Sequence, residues 1–194
     1  MDVHVPVLVG FYDYRLVAVS ILIAVVAAYA ALDLPGRIAT AQGVGRFAWL
    51  SGGAFALGLG IWSMHYMGTE AYRLPVPVEY DWPTALLSFV AAVSASAVAL
   101  FVVSRKAMGT AAAVVGSLLM ASGILAMHYI GMEAMRLPAM CHYSPGRVAL
   151  SIVAAVAISF VGIALLDGKA TCFLISAIVM QDVLAGERCS RNRE

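Results

Sequence analysis

Two short runs in this 194-residue chain carry residue types able to hold a metal ion. Met64, His65 and Tyr66 form the first; Met127, His128 and Tyr129 form the second. A thioether beside an imidazole is a soft-to-borderline donor set. Cu(I) accepts both donors and Cu(II) favours the imidazole, whereas zinc and magnesium seldom use methionine. Successive residues on a helix turn by about 100°, so Met64 and Tyr66 point about 200° apart and cannot both face one ion alongside His65. Tyr66 and Tyr129 are therefore expected to support the ligands, or to sit at the membrane surface, unless the helix unwinds at Gly68 and Gly131. Better partners stand three or four positions away. Met132 follows His128 by four and shares its face, while Thr69 holds that place after His65. The most economical site joins His65 and His128 from two packed helices, with Met64, Met127 and Met132 supplying sulfur. Cys141 and His142, beside Met140, form an accessory soft pair in a loop. Against this stands a plainer account: ten methionines in so apolar a chain mostly fill space.

The two runs belong to a longer repeat. GIWSMHYMGTEAYRLP (Gly60 to Pro75) aligns without gaps to GILAMHYIGMEAMRLP (Gly123 to Pro138), and Tyr80 then matches Tyr143. FYDYR (Phe11 to Arg15), EYDWP (Glu79 to Pro83) and HYSPG (His142 to Gly146) each precede an apolar stretch. Each unit reads as an aromatic segment, a helix, a basic turn, a second helix and the Met-His-Tyr run. Two helices per unit keep every unit in one orientation, so both runs lie at one depth. The units cover about residues 11–75, 79–138 and a degenerate 142–194, together one domain over 1–194. The third run is missing; the charged tail Glu187 to Glu194 stands in its place, and its arginines oppose export, so the tail is expected near the interface or partly inside.

These elements call for lipid. The chain is 62% hydrophobic and 12% charged, against about half and a quarter for a soluble protein. Five stretches, about Leu16 to Leu34, Phe47 to Met67, Thr84 to Val103, Thr110 to Ile130 and Val148 to Leu166, each approach the roughly 20 apolar residues that cross a bilayer. A sixth, about Ala170 to Ala185, is short and carries Gln181 and Asp182 near its end. The fold expected is all-α: a polytopic membrane protein of five to six spans in two-helix units. Arg37, Arg46, Arg105, Lys106 and Lys169 fall in the odd loops, and Glu70, Glu79 and Asp81 dominate the second. The positive-inside rule then places the N-terminus outside a multi-pass inner-membrane protein, with both runs near the outer face. Glu70 and Arg73, like Glu133 and Arg136, stand three apart and suit local ion pairs. A net charge of +1 without a basic run excludes nucleic acid as a partner. Three scattered cysteines make no disulfide framework. No nucleophile–base pair, phosphate loop or paired catalytic carboxylates appear, so an enzyme is not expected.

At MHYMG (Met64 to Gly68), MHYIGMEAMRLP (Met127 to Pro138) and the opening YRLVAVSILIAVVAAYAALDLPGR (Tyr14 to Arg37), the chain resembles the MHYT-domain family of bacterial membrane sensors. The likeness runs to about Met180. It implies an integral membrane domain of about seven helices, with three such motifs near the outer face and a cytoplasmic output module. That module is a cyclic-di-GMP synthase or phosphodiesterase, or a histidine kinase. It also implies a sensor of oxygen, carbon monoxide or nitric oxide through a bound metal, copper. The sequence departs from the pattern in three ways: Met67 and Ile130 replace the motif's threonine, the third motif is absent, and no output module or seventh helix follows. The leading expectation is thus a copper-binding sensor in the bilayer, working with a cytoplasmic signalling protein or a second copy of itself. The alternatives are a b-type haem protein with His65 and His128 as axial ligands, and a small transporter.

Overall fold

A computed structural model describes residues 11–73, 78–105, 110–136, 139–142, 146, 149–150, 152–153, 156–157 and 188–191. The first unit is strand β1 (Phe11–Tyr12), helix α1 (Tyr14–Thr40), helix α2 (Gly43–Ala71) and strand β2 (Tyr72–Arg73). The second is β3 (Glu79–Tyr80), α3 (Trp82–Val103), α4 (Thr110–Glu133) and β4 (Met135–Arg136). Two further strands, β5 (Ala139–His142) and β6 (Arg188–Arg191), follow. The four helices are each long and apolar enough to cross a membrane. The described residues between 146 and 157 are helical. The remainder of the fifth expected span, and all of the sixth, lie outside the described residues.

Helices α1 and α2 outrun the expected spans. By apolar length the first span is expected to end at about Leu34. In the structure α1 continues through Pro35 to Thr40, and the charges of its last turns, Asp33 and Arg37, pair with each other. Arg37 also lies 5.2 Å from the centre of the Trp49 ring on α2. Only Ala41 and Gln42 separate the two helices, and Gly43 adopts φ 54°, a left-handed conformation that glycine enters freely.

Packing follows the logic of lipid rather than water. The buried positions are mostly small: Ala24, Ala27, Ala28, Ala54, Ala85, Ala92 and Ala95. Large side chains such as Leu22, Val26, Phe55, Leu86 and Leu87 face outward. In a bilayer, outward apolar side chains lose nothing, and small inward ones let backbones approach. Each unit is a helix pair joined by the same contacts at equivalent places. A Cβ on Gly60 would meet that of Ala27 at 2.9 Å, and one on Gly123 would meet that of Ala95 at 2.5 Å. Gly53 abuts Leu34 in the first unit as Gly116 abuts Val102 in the second. The units join through α2 and α3, where a Cβ on Gly58 would lie 2.7 Å from the Val93 Cα.

One end of each pair is closed by an antiparallel ribbon. Phe11 and Tyr12 pair with Arg73 and Tyr72; Glu79 and Tyr80 pair with Arg136 and Met135. The Asp13 amide donates to the Ala71 carbonyl and the Asp81 amide to that of Ala134, both at 2.8 Å. Strand β6 pairs with β5, placing His142 opposite Arg188. Residues 188–191 of the tail are thus held by backbone hydrogen bonds to the segment that follows the second Met-His-Tyr run.

Candidate functional site

His65 on α2 and His128 on α4 come together beside the ribbons. Their ring centroids are 5.2 Å apart, with the planes inclined at 72°. His65 is 5% exposed and His128 is 2% exposed. Glycine makes the approach possible: a Cβ on Gly131 would stand 2.9 Å from His65 Nε2. Any larger residue there would push the first imidazole away from the second helix. The His128 Nδ1 is buried and has no hydrogen-bond partner among the described residues. Leaving such a nitrogen unpaired costs about 1–3 kcal/mol, so the atom is open to a partner that the described residues do not supply.

The flanking residues divide into two groups. Met127 is 1% exposed and packs with Leu57, Ile61 and Ala92. Met64 and Met132 are half-buried. Tyr66 turns toward the junction of the units, its ring 4.6 Å from that of Trp62 and 5.6 Å from that of Tyr80. Its hydroxyl lies beside Ser88 and Trp62 but closes no hydrogen bond of good geometry among the described residues. The Tyr129 ring lies 5.1 Å from His128. Cys141 and His142 stand on β5, and their side chains fall outside the described residues. No three His, Cys, Asp or Glu side chains gather into a metal-binding group among the described residues.

Two serines escape the sequence reading. Ser20 on α1 donates to the Met64 carbonyl at 3.0 Å, and Ser88 on α3 donates to the Met127 carbonyl at 2.8 Å. Each first helix of a unit thus grips the second at the residue before the histidine. Ser20 stands 44 positions before Met64 and Ser88 39 before Met127, so the ungapped repeat does not align them.

The polar rim lies at the ribbons. Glu70 accepts from Arg73 at 2.9 Å and from the Tyr80 hydroxyl at 3.2 Å. Burial, followed by the Glu70 carboxylate, pushes the Tyr80 hydroxyl up to about 12. The expected Glu133–Arg136 pair is replaced: Arg136 crosses to Asp81 at 3.0 Å, because the ribbon brings that carboxylate within reach. Asp81 also caps α3 through the Thr84 amide and hydroxyl. The Thr84 hydroxyl first, then its amide and Arg136, hold the Asp81 carboxyl below the usual carboxylate range.

Membrane-length helices in repeated pairs, with large apolar side chains outward, define a multi-pass α-helical membrane domain. A family described as a bacterial signalling protein N-terminal repeat, MHYT, matches residues 58–116 and 122–176. The chain belongs to this family of membrane signalling domains. It is 46% identical over 149 residues to the bifunctional diguanylate cyclase/cyclic di-GMP phosphodiesterase MucR of Pseudomonas aeruginosa, covering 77% of this chain and 22% of that protein. It is 37% identical over 163 residues to the signaling protein YkoW of Bacillus subtilis, covering 84% and 20%. It is also 37% identical over 153 residues to the cyclic di-GMP phosphodiesterase NbdA of Pseudomonas aeruginosa, covering 79% and 19%. The match thus spans about a fifth of the length of each curated relative. No solved structure matches the chain.

Proposed function

We propose that this domain binds one copper ion between His65 and His128 and senses a diatomic gas, oxygen, carbon monoxide or nitric oxide, near the outer membrane face. The observation that carries this reading is the pair of buried imidazoles 5.2 Å apart, one with an unpartnered nitrogen. Two imidazoles with thioether neighbours suit Cu(I) better than zinc, whose closed sites use Cys and His. His65 and His128 would hold the ion, with Met64, Met127 and Met132 as the sulfur sources. Bound copper would supply the affinity for the gas. The chain's own residues exclude water, set the spacing of the rings through Gly131, and anchor the helix turn before each histidine through Ser20 and Ser88. A haem with two axial histidines is the poorer fit, because rings in edge contact leave no slot for a porphyrin between them.

The N-terminus and the ribbons are assigned to the outer side. Arg37, Arg46 and Arg105 lie at the end opposite the ribbons, as the positive-inside rule asks of a cytoplasmic face. Output passes to a cytoplasmic signalling partner, and the relatives named as cyclic di-GMP enzymes support that class of output. The domain itself acts as the sensor, without catalysis of its own.

Metal analysis and absorption spectra of the purified protein test the site. About one copper per chain is expected, lost in both His65→Ala and His128→Ala. A Soret band, or copper content unchanged in both variants, overturns the reading. For orientation, single cysteines are placed in a background whose native cysteines are replaced by serine. A cysteine at position 79 is expected to label from outside intact cells and one at 105 to stay protected; the reverse pattern overturns the topology.

A further inference from the structure

Ser88 occupies a position that the Met-His-Tyr motif does not mark. It is 0% exposed, and its proton is committed to the Met127 carbonyl at 2.8 Å. A Cβ on Gly131 would lie 3.2 Å from Ser88 Oγ and 2.9 Å from His65 Nε2, so the hydroxyl and the first imidazole close on the same spot of α4. The Tyr66 hydroxyl, buried without a well-formed hydrogen bond, lies beside Ser88 as well. A serine hydroxyl has one proton to give and two lone pairs to receive with. With the proton spent on Met127, a lone pair remains for Tyr66.

We propose that Ser88 is the bridge between the two Met-His-Tyr runs, a positioning residue for the histidine pair. Tyr66 of the first run donates to Ser88, and Ser88 donates to Met127 of the second. This chain crosses from α2 through α3 to α4 and sets where His65 stands against His128. Ser20 makes the equivalent bond to Met64 within the first unit and provides the comparison. The inference rests on the histidine pair being the functional site, but the geometry it asserts holds with or without a metal.

The test uses the full chain in lipid nanodiscs with nitrogen-15-labelled histidine, its signals assigned by removing each histidine in turn. Spectra are recorded metal-free and with Cu(I). Ser88→Ala is expected to shift the metal-free signals of both His65 and His128, whereas Ser20→Ala shifts His65 alone. Tyr66→Phe is expected to reproduce the Ser88→Ala shifts, and the double variant to add nothing further, as members of one chain must. Where copper binds, Ser88→Ala weakens it by about 10–100-fold, the usual cost of losing a group that orients a ligand. Metal-free signals unmoved by Ser88→Ala overturn the bridge, as do shifts from Tyr66→Phe and Ser88→Ala that simply add. Tyr66→Phe decides the matter if Ser88→Ala fails to fold. A wild-type protein that ignores Cu(I), while Ser88→Ala still moves both imidazoles, upholds the bridge and removes only the metal.

Discussion

In the first unit Arg73 pairs with Glu70 of the helix it follows, while in the second Arg136 leaves its own helix and reaches Asp81. Inside the bundle the units do not differ in this way. Ser20 and Ser88, Ala27 and Ala95, and Leu34 and Val102 each meet their partners at matching positions. The helix contacts are set by the repeat, because they need only small residues at the right spacing. The polar ends depend on what stands beside them. Tyr80, at the start of the second unit, docks on Glu70 of the first, whereas Glu133 is exposed. A repeat can thus copy a core while its rim is rewritten by its neighbours.

The sharpest way to break the comparison is to part the units. Gly58→Leu drives a side chain into the backbone of α3, and a loss of about 3 kcal/mol or more is expected in reversible unfolding in mixed micelles, because overpacking commonly costs 1–3 kcal/mol. Gly52→Ala, where nothing lies within 4 Å, should stay within about 0.5 kcal/mol of the parent. Equal effects would mean that α2 and α3 do not meet as described. Within the units, Gly123→Ala and Gly60→Ala should each cost roughly 1–3 kcal/mol. The second unit should lose more, since its contact is the tighter. An ordering reversed in the same assay would show that the units are not packed alike.

Smaller effects lie at the rim. Asp13→Ala removes a cap bond to the Arg15 amide and should cost about 1 kcal/mol. Asp81→Ala loses Thr84 and Arg136 together and should cost more; equal losses would deny the Arg136 bridge any role. The mildest effect is one of pH and belongs to the second unit. The Tyr80 hydroxyl is raised to about 12, above its ordinary value near 10. Its contribution is complete below about pH 10 and is lost as pH rises through its folded value. Tyrosinate absorption should show a late-titrating phase that is smaller in Tyr80→Phe than in the parent; an unchanged phase would deny Tyr80 its contact with Glu70. Asp81 acts in the opposite sense: its lowered carboxyl stabilises above the ordinary carboxylate range and ceases to do so as pH falls through its folded value.

The first four spans, the two matched units and the meeting of the two histidines were legible because each rests on local pattern: apolar length, identical residues, and one depth for equivalent positions. The pairing of Ser20 with its counterpart Ser88 was not. The Met-His-Tyr runs stand 63 positions apart and the serines 68, so an ungapped alignment never sets Ser20 against Ser88. The end of α1 lies beyond Leu34 because the helix continues past the apolar stretch into a polar turn, where Asp33 and Arg37 pair, and apolar length does not mark such a turn. The swap of Arg136 from Glu133 to Asp81 is a tertiary choice that no spacing of three could announce. The accessory pair Cys141 and His142 stays a sequence expectation.

The five-residue difference between those offsets falls at the basic end of the hairpins. Beyond the matched contacts at Leu34 and Val102, α1 runs on to Thr40 but α3 only to Val103. The path from Leu34 to Gly53 is five residues longer than the path from Val102 to Gly116. The two hairpins are therefore alike up to their last shared contact and unequal past it, and the first offers more chain at the basic end to whatever meets the domain there.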